Sequence, residues 1–112
     1  MKFDRELLKG HLKILILASL SDGPCHAYGL IRRLQEKSLD VFSLSEGTIY
    51  PSLHKLEREG LIASEWVERE KGPMIRLYSL TPKGTGVLKE GKRDWSFFSR
   101  AMNLVLEDRA SQ

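Results

Sequence analysis

Hydrophobic residues recur every three or four positions in four segments of the chain and alternate with polar residues in two others. The first spacing is typical of a helix with one buried face, and the second is typical of a strand. The pattern predicts helices over residues 5–21, 26–38, 43–60 and 82–107, and strands over residues 61–68 and 74–80. The predicted order is three helices, a β-hairpin and one long final helix.

The third predicted helix has well-marked ends and a regular buried stripe. Ser43 or Ser45 can cap its first turn, and Ser43 with Glu46 three residues later has the spacing of a capping box. Gly60 is a typical helix stop. The predicted buried positions, spaced i, i+4 and i+7, are Ile49, Leu53 and Leu56.

The opposite face of this helix carries hydroxyl groups, rings and one cation, which are groups that contact DNA phosphates and base edges: Thr48, Tyr50, Ser52, His54 and Lys55. Taken by itself, the stretch favours an ordinary solvent-exposed face. Pro51 removes one backbone hydrogen bond and costs about 3 kcal/mol in an ordinary helix interior. We therefore expect a kinked or separately organised first turn, with Thr48 and Tyr50 pointing away from the rest of the face.

The first predicted helix is apolar around most of its circumference. Its predicted inner stripe contains Leu8, Leu12 and Leu15. Further apolar side chains surround that stripe: Leu7, Ile14, Ile16, Leu17 and Ala18. Because a small domain rarely buries a helix on all sides, the pattern predicts a second apolar partner, and a partner subunit is the simplest source.

The second predicted helix is amphipathic and follows a turn. Its charged residues, predicted to point outward, are Arg32, Arg33 and Lys37. At its start, His26 is predicted to be a polar cap residue. Cys25 is predicted to be a small half-buried residue in the turn rather than a redox switch, since the sequence shows neither a neighbouring cation nor a second cysteine.

The final predicted helix starts with Thr81 as its cap and Pro82 in its first turn. If it extends to residue 107, it is about 39 Å long. Apolar side chains follow a heptad seam along it, at Leu88, Gly91, Trp95, Phe98, Met102 and Val105, widened by Phe97, Ala101 and Leu104. A projecting apolar helix predicts a homodimer. The alternative is a monomer in which this helix folds back over the first.

Composition narrows the function without deciding it. The 112 residues are 41% hydrophobic and 29% charged, which is typical of one ordinary globular domain. A net charge of +3 permits nucleic-acid binding. No signal peptide or membrane-spanning run is apparent, and the single cysteine excludes an internal disulfide, so we expect a cytoplasmic protein without a membrane partner.

The sequence gives little support to an enzyme. It contains no glycine-rich phosphate loop and no Ser/His/Asp or Cys/His arrangement at catalytic spacing. The three histidines, His11, His26 and His54, share no short-range metal pattern. We therefore predict no cofactor and no metal site.

Two runs, EGTIYPSLHKLEREGLI and GPMIRLYSLTPKG, resemble the signature of the PadR family of winged-helix transcription regulators. The similarity extends from about residue 8 to residue 88. The resemblance implies a mainly α fold with a small β wing: a winged helix-turn-helix over residues 1–81 and a C-terminal dimerisation helix over residues 82–112. It also implies a homodimeric regulator of double-stranded DNA, usually a repressor that a small molecule releases.

The resemblance also implies where DNA would bind. In the family, a tyrosine followed by glycine packs near the DNA backbone, and Tyr28-Gly29 matches this pair; a core aromatic is the alternative. The wing should contribute Lys71 and Arg76, although Ile75 and Leu77 stand where the family usually has polar or aromatic residues, so weaker wing contact is expected. The predicted DNA-binding residues are Tyr28, Ser45, Thr48, Tyr50, Pro51, His54, Lys55, Lys71 and Arg76.

The sequence leaves two questions of function open, namely whether the protein binds DNA specifically and whether it binds a small molecule. Acidic residues of the hairpin, Glu65, Glu68 and Glu70, would repel DNA if they faced it, which favours a winged-helix protein-interaction module without sequence-specific DNA binding. Some short members of the family clamp planar cations against a tryptophan between subunits, and Trp95 beside Gly91 resembles that site. The predicted effector-binding residues are Leu15, Leu88, Gly91 and Trp95, with simple packing of Trp95 in the seam as the alternative.

Overall fold

A computed structural model describes residues 5–107, which form five helices and one two-stranded sheet within that range. The elements are α1 (Arg5–Lys9), α2 (Leu12–Leu20), α3 (Ala27–Lys37), α4 (Glu46–Arg58), β1 (Ile62–Val67), β2 (Ile75–Leu80) and α5 (Pro82–Leu106). The predicted mainly α fold, with a small β wing and a long C-terminal helix, is confirmed. Residues 1–4 and 108–112 lie outside the described residues. They are the outer ends of the predicted winged helix-turn-helix (residues 1–81) and of the predicted dimerisation helix (residues 82–112).

The prediction of a single helix over residues 5–21 is wrong, because the helix is interrupted at Gly10 and His11. The backbone N–H of His11 donates to the carbonyl of Leu8 at 2.9 Å, which closes α1 with a tighter turn before α2 begins. The apolar pattern continues through the break and therefore does not reveal it.

The second apolar partner predicted for this region is present within the chain, because other helices and β2 bury most of the excess apolar surface of α2, which by itself does not require a partner subunit. Ile16 and Leu17 are fully buried, and α2 contacts α3, α4, α5 and β2. On the preceding helix α1, Leu7 remains exposed.

The predicted cap of α3 is confirmed, but one of its charged residues points inward. His26 Nδ1 accepts a hydrogen bond from the Gly29 N–H at 2.8 Å. Arg33, predicted to point outward, donates to the carbonyls of Ser19 at 3.0 Å and Gly23 at 2.6 Å. A guanidinium with several donors can satisfy the free carbonyls where α2 ends, and this contact joins α3 to α2.

The wing is an antiparallel hairpin in which Ile62 pairs with Leu80, Ser64 with Tyr78 and Trp66 with Arg76. A short third segment joins it, because Cys25 and Tyr78 exchange backbone hydrogen bonds of 3.1 and 2.9 Å. Cys25 is thus buried in an extended segment rather than half-buried in a turn. Burial raises the pKa of its thiol, which Arg33 partly opposes, so the thiolate needed for redox chemistry is disfavoured.

The predicted start of α5 is confirmed, and this first turn lies against the end of α4. Thr81 accepts a hydrogen bond from the Gly84 N–H at 3.0 Å and donates to the Gly60 carbonyl at 2.7 Å. A side chain at Gly84 would overlap the carbonyl oxygen of Leu61. Only glycine therefore allows α5 to begin this close to the segment that leaves α4.

The first half of α5 packs on α2, and the second half projects. Leu88 is buried, and a Cβ atom at Gly91 would lie 3.0 Å from Ile14 Cδ1. Beyond Trp95 the apolar side chains of α5 are exposed, and the molecule measures 61 × 31 × 21 Å. The long, projecting helix expected from the sequence is therefore present.

We expect Gly84→Ala to lower the free energy of unfolding by about 3 kcal/mol, because the methyl group meets backbone that cannot rotate away. Gly86→Ala is the matched control: nothing lies within 4 Å of a Cβ there, and alanine favours the helix by up to about 1 kcal/mol. Urea unfolding of both variants measures the difference. Equal stability of the two variants would contradict the close approach at Gly84.

Candidate nucleic-acid interface

One side of α4 is fixed in the core, so the other side is presented to solvent. Ile49, Leu53 and Leu56 are buried, as predicted from their spacing. The structure brings six predicted DNA-binding residues together on the exposed side: Ser45, Thr48, Tyr50, Pro51, His54 and Lys55. Apolar anchoring on one side makes the polar side a rigid surface rather than a mobile loop.

The start of α4 differs from the predicted capping box. The helix begins at Glu46 with Ser45, not Ser43, as the N-cap residue, and the Ser45 side chain makes no capping hydrogen bond. Its hydroxyl lies 3.2 Å from the hydroxyl of Thr48 instead. Glu46 is already the first helical residue, so Ser43 lies too far from the helix to form a capping box with it.

The first turn of α4 is not separately organised, since α4 is a single helix from Glu46 to Arg58 with Pro51 inside it, and a bend at Pro51 stays a prediction. Pro51 is the sixth residue of the helix, so its missing N–H leaves only the Gly47 carbonyl without its usual partner. Ser52 donates its hydroxyl to the Thr48 carbonyl one turn earlier, at 3.2 Å. Thr48 and Tyr50 therefore belong to the same helical face as the residues that follow.

From Tyr50 onward this face carries two rings and two cations. The rings of Tyr50 and His54 lie side by side with centroids 6.5 Å apart. Lys55 is exposed, and so is Arg58, one turn after His54. Arg58 was missed by the sequence analysis, although its i+4 spacing from His54 was the available signal.

Tyr28 is the second residue of α3, and 64% of it is exposed. The alternative of a core aromatic is therefore wrong. A hydroxyl-bearing ring at the N-terminal end of α3 is positioned where helix-turn-helix proteins approach the phosphate backbone. Contact of Tyr28 with DNA stays a prediction.

The two predicted cations of the wing have different surroundings. Lys71 is exposed at the tip, in the turn that Gly72 permits with φ of 96°. Arg76 is turned toward α4, and its Nη2 atom lies 3.5 Å from the carboxylate of Glu57 on that helix. Its Nε atom donates to Oγ of Ser64 on β1 at 2.8 Å. Glu65, which pairs with Leu77, points to the opposite face of the hairpin from Arg76.

Of the four predicted effector-binding residues, Leu15 lies on α2, and Leu88, Gly91 and Trp95 lie on α5, which packs against α2. Leu88 is buried and Leu15 is half-buried. Ile14 of the same chain lies against Gly91, so the missing side chain of this glycine leaves no gap for a ligand. Trp95 is 47% exposed and meets His11 edge to face at a centroid distance of 5.0 Å.

Residues 5–107 contain neither a metal-binding cluster nor a membrane-spanning helix. In that range no three His, Cys, Asp or Glu side chains come together as a metal-binding group. No helix in the same range is both long enough and apolar enough to cross a membrane.

The chain is similar to known transcription regulators over most of its length. It is 36% identical over 89 residues to a transcriptional regulator from Mycobacterium tuberculosis, covering 80% of this chain and 79% of the relative. A PadR-like transcriptional regulator from Bacillus cereus has a solved structure with a TM-score of 0.80 and 32% identity, covering 93% of this chain and 99% of the other.

A transcriptional regulator from Clostridium thermocellum shares the fold with a TM-score of 0.85, at 22% identity over 95% of this chain and the whole of the other. Residues 16–90 match the family described as "Transcriptional regulator PadR-like family". That match covers more than half of the sequence and includes the helix-turn-helix, the wing and the start of α5. The chain therefore belongs to the PadR-like family of DNA-binding transcriptional regulators.

Proposed function

We propose that this PadR-like regulator is a homodimeric repressor that reads a pseudo-palindromic DNA site with α4 of each subunit. The exposed polar face of α4, held from behind by its buried stripe, is the observation that carries the proposal. Twofold symmetry would set the two half-sites roughly 34–36 Å apart. A regulator of chromosomal DNA works in the cytoplasm, which is the location we propose.

The chemistry of the face suggests a division of roles. Thr48 and Tyr50 carry hydroxyl groups near the start of α4 and suit base edges, while Pro51 offers an apolar surface of the kind that contacts thymine methyl groups. Lys55 suits a phosphate as a point charge. Tyr28, Ser45, His54 and Lys71 surround this centre and suit contacts that set the register of the protein on the duplex.

We expect Lys55→Ala to weaken binding to every duplex and to reduce its salt dependence, because one phosphate contact is lost. Thr48→Val and Tyr50→Phe should weaken binding mainly to the cognate duplex. Fluorescence anisotropy at two salt concentrations measures these effects, with labelled DNA from upstream of the protein's own gene against a scrambled duplex. Lys89→Ala, the same charge change on α5, is the control.

The competing function, a protein-interaction module, makes the opposite prediction in this experiment. Wild-type protein would then bind both duplexes alike and release them together as salt rises. Equal losses on both duplexes for Thr48→Val, Tyr50→Phe and Lys55→Ala would contradict base readout by α4.

The second half of α5 supports the proposed dimer, with residues 82–112 as its dimerisation segment and residues 1–81 as the DNA-binding unit. Its exposed apolar side chains include Trp95, Phe97, Phe98, Met102, Leu104 and Val105. By helical spacing they cover about half of the circumference, and polar residues such as Ser96, Asn103 and Lys92 cover the rest. A second copy of the same helix is apolar over the same arc, so a twofold pair buries both.

We expect the wild-type protein to sediment at twice the 12.8 kDa mass of one chain. Phe98→Glu and Val105→Glu should shift it toward the monomer, because each buries a carboxylate in the proposed seam. Asn103→Glu introduces the same charge on the polar side of α5 and should leave the dimer intact. Sedimentation velocity measures all four proteins, and a wild-type monomer would contradict the proposal.

A small planar cation bound near Trp95 is the effector that we propose to relieve repression. Half of the Trp95 ring is accessible in one chain, and Glu90 and Asp94 are exposed nearby on α5. Ring faces and carboxylates together favour an aromatic cation. We include Leu15 of α2 and Leu88 of α5 in this site, whereas Gly91 serves the packing against Ile14.

We expect planar aromatic cations to quench the fluorescence of Trp95 and to release the protein from DNA. Trp66 is the second tryptophan and is exposed on the wing, so the fluorescence titration is made in a Trp66→Phe background, and release from DNA is measured with the wild-type protein. Neutral planar compounds of the same size are the control for charge. Unchanged fluorescence throughout the series would contradict an effector site at Trp95.

A further inference from the structure

Arg76 lies near the tip of the wing, and its side chain reaches back to α4. It pairs with Trp66 across the hairpin, and its guanidinium carbon lies 5.5 Å from the centre of the Trp66 ring. Nε donates to Ser64 Oγ, two residues before Trp66 on the same face of β1. The side chain is therefore held along the wing, not extended toward solvent.

Glu57 of α4 closes the cluster from the other side. Its Oε2 atom accepts a hydrogen bond from Ser64 Oγ at 2.7 Å, and both carboxylate oxygens lie 3.5 Å from Arg76 Nη2. The Ser64 hydroxyl donates to Glu57 while it accepts from Arg76, so one residue links the two charges. We call Glu57, Ser64, Trp66 and Arg76 the wing brace.

The wing brace lies just before the tip of the wing. Beyond the Trp66–Arg76 pair only one more pair, Val67 with Ile75, belongs to the ladder before residues 68–74 form the tip. The Arg76 side chain is 39% exposed and that of Glu57 is 29% exposed, so water only partly screens their attraction. The brace thus links α4 to both strands of the wing one residue pair before the ladder ends.

The charges of the brace suit positioning better than phosphate contact. Arg76 and Glu57 together carry no net charge, and the attraction of a phosphate for Arg76 would be opposed by the carboxylate beside it. An arginine that stays with Glu57 on DNA displaces no counterion from the duplex. We propose that Arg76 is a positioning residue, which holds the wing so that Lys71 and the exposed face of α4 contact one duplex together.

This inference rests on the proposed readout of DNA by α4, and salt dependence tests it. Arg76→Met should weaken binding to the duplex from upstream of the protein's own gene by about tenfold, since the brace is lost, with an unchanged slope of log affinity against log salt. Lys71→Met is the matched control at the tip. It should reduce that slope by about 0.9, because it removes one phosphate contact.

Glu57→Gln separates positioning from charge by the sign of its effect. If net charge alone mattered, removal of a carboxylate beside DNA would strengthen binding, whereas loss of the brace should weaken it. The double variant Glu57→Gln/Arg76→Met should bind no worse than Arg76→Met, because both changes break the same contact. Arg76→Lys keeps the charge but not the Nε donor, and it should restore little of the affinity.

The outcomes distinguish the two proposals. A smaller slope for Arg76→Met, with restoration by Arg76→Lys, would make Arg76 a phosphate contact and overturn the wing brace alone. Wild-type protein that fails to distinguish its own upstream duplex from a scrambled one would overturn the readout by α4, and the role of Arg76 with it. Urea unfolding of each variant confirms that affinity is compared between folded proteins.

Discussion

The contact between the first turn of α5 and the Leu61 carbonyl determines how the rest of the molecule is arranged. Gly84 makes this approach possible because any side chain there would overlap backbone atoms. Around it, the end of α4 supplies carbonyl acceptors to Thr81 and Lys83, at 2.7 and 2.9 Å. The free carbonyls where α4 ends are thus satisfied by the start of α5, and the two helices meet in a fixed relation.

The position of the exposed face of α4 is set by contacts that lie elsewhere in the domain. Three apolar side chains hold the helix from behind, Arg33 holds α3 against the end of α2, and the wing brace holds the hairpin at its side. Each contact uses a different chemistry, but all three constrain backbone. DNA recognition needs side chains in fixed register with a regular duplex, and a face supported on several sides meets that need.

Local patterns predicted the elements that local physics controls. The stripe of α4 and the caps at His26 and Thr81 depend on residues within a few positions of one another, and the hairpin follows from two alternating runs joined by a short turn; all are confirmed. The family also confirms a regulator rather than an enzyme. The break at Gly10 escaped because apolar residues continue on both sides. The directions of Arg33 and Arg76 escaped because their partners lie 10 to 19 positions away in sequence.

The length of α5 gives the contact at its base a mechanical consequence. A helix of 25 residues is about 37 Å long, so a tilt of about 10° between α4 and α5, together with the α2 packed on it, moves the far end of α5 by roughly 6 Å. A small change in the angle between α5 and α4 is therefore a large displacement at the exposed end of α5. Whatever restrains that end to within an ångström or so therefore also restrains the angle between α5 and α4 to within a few degrees.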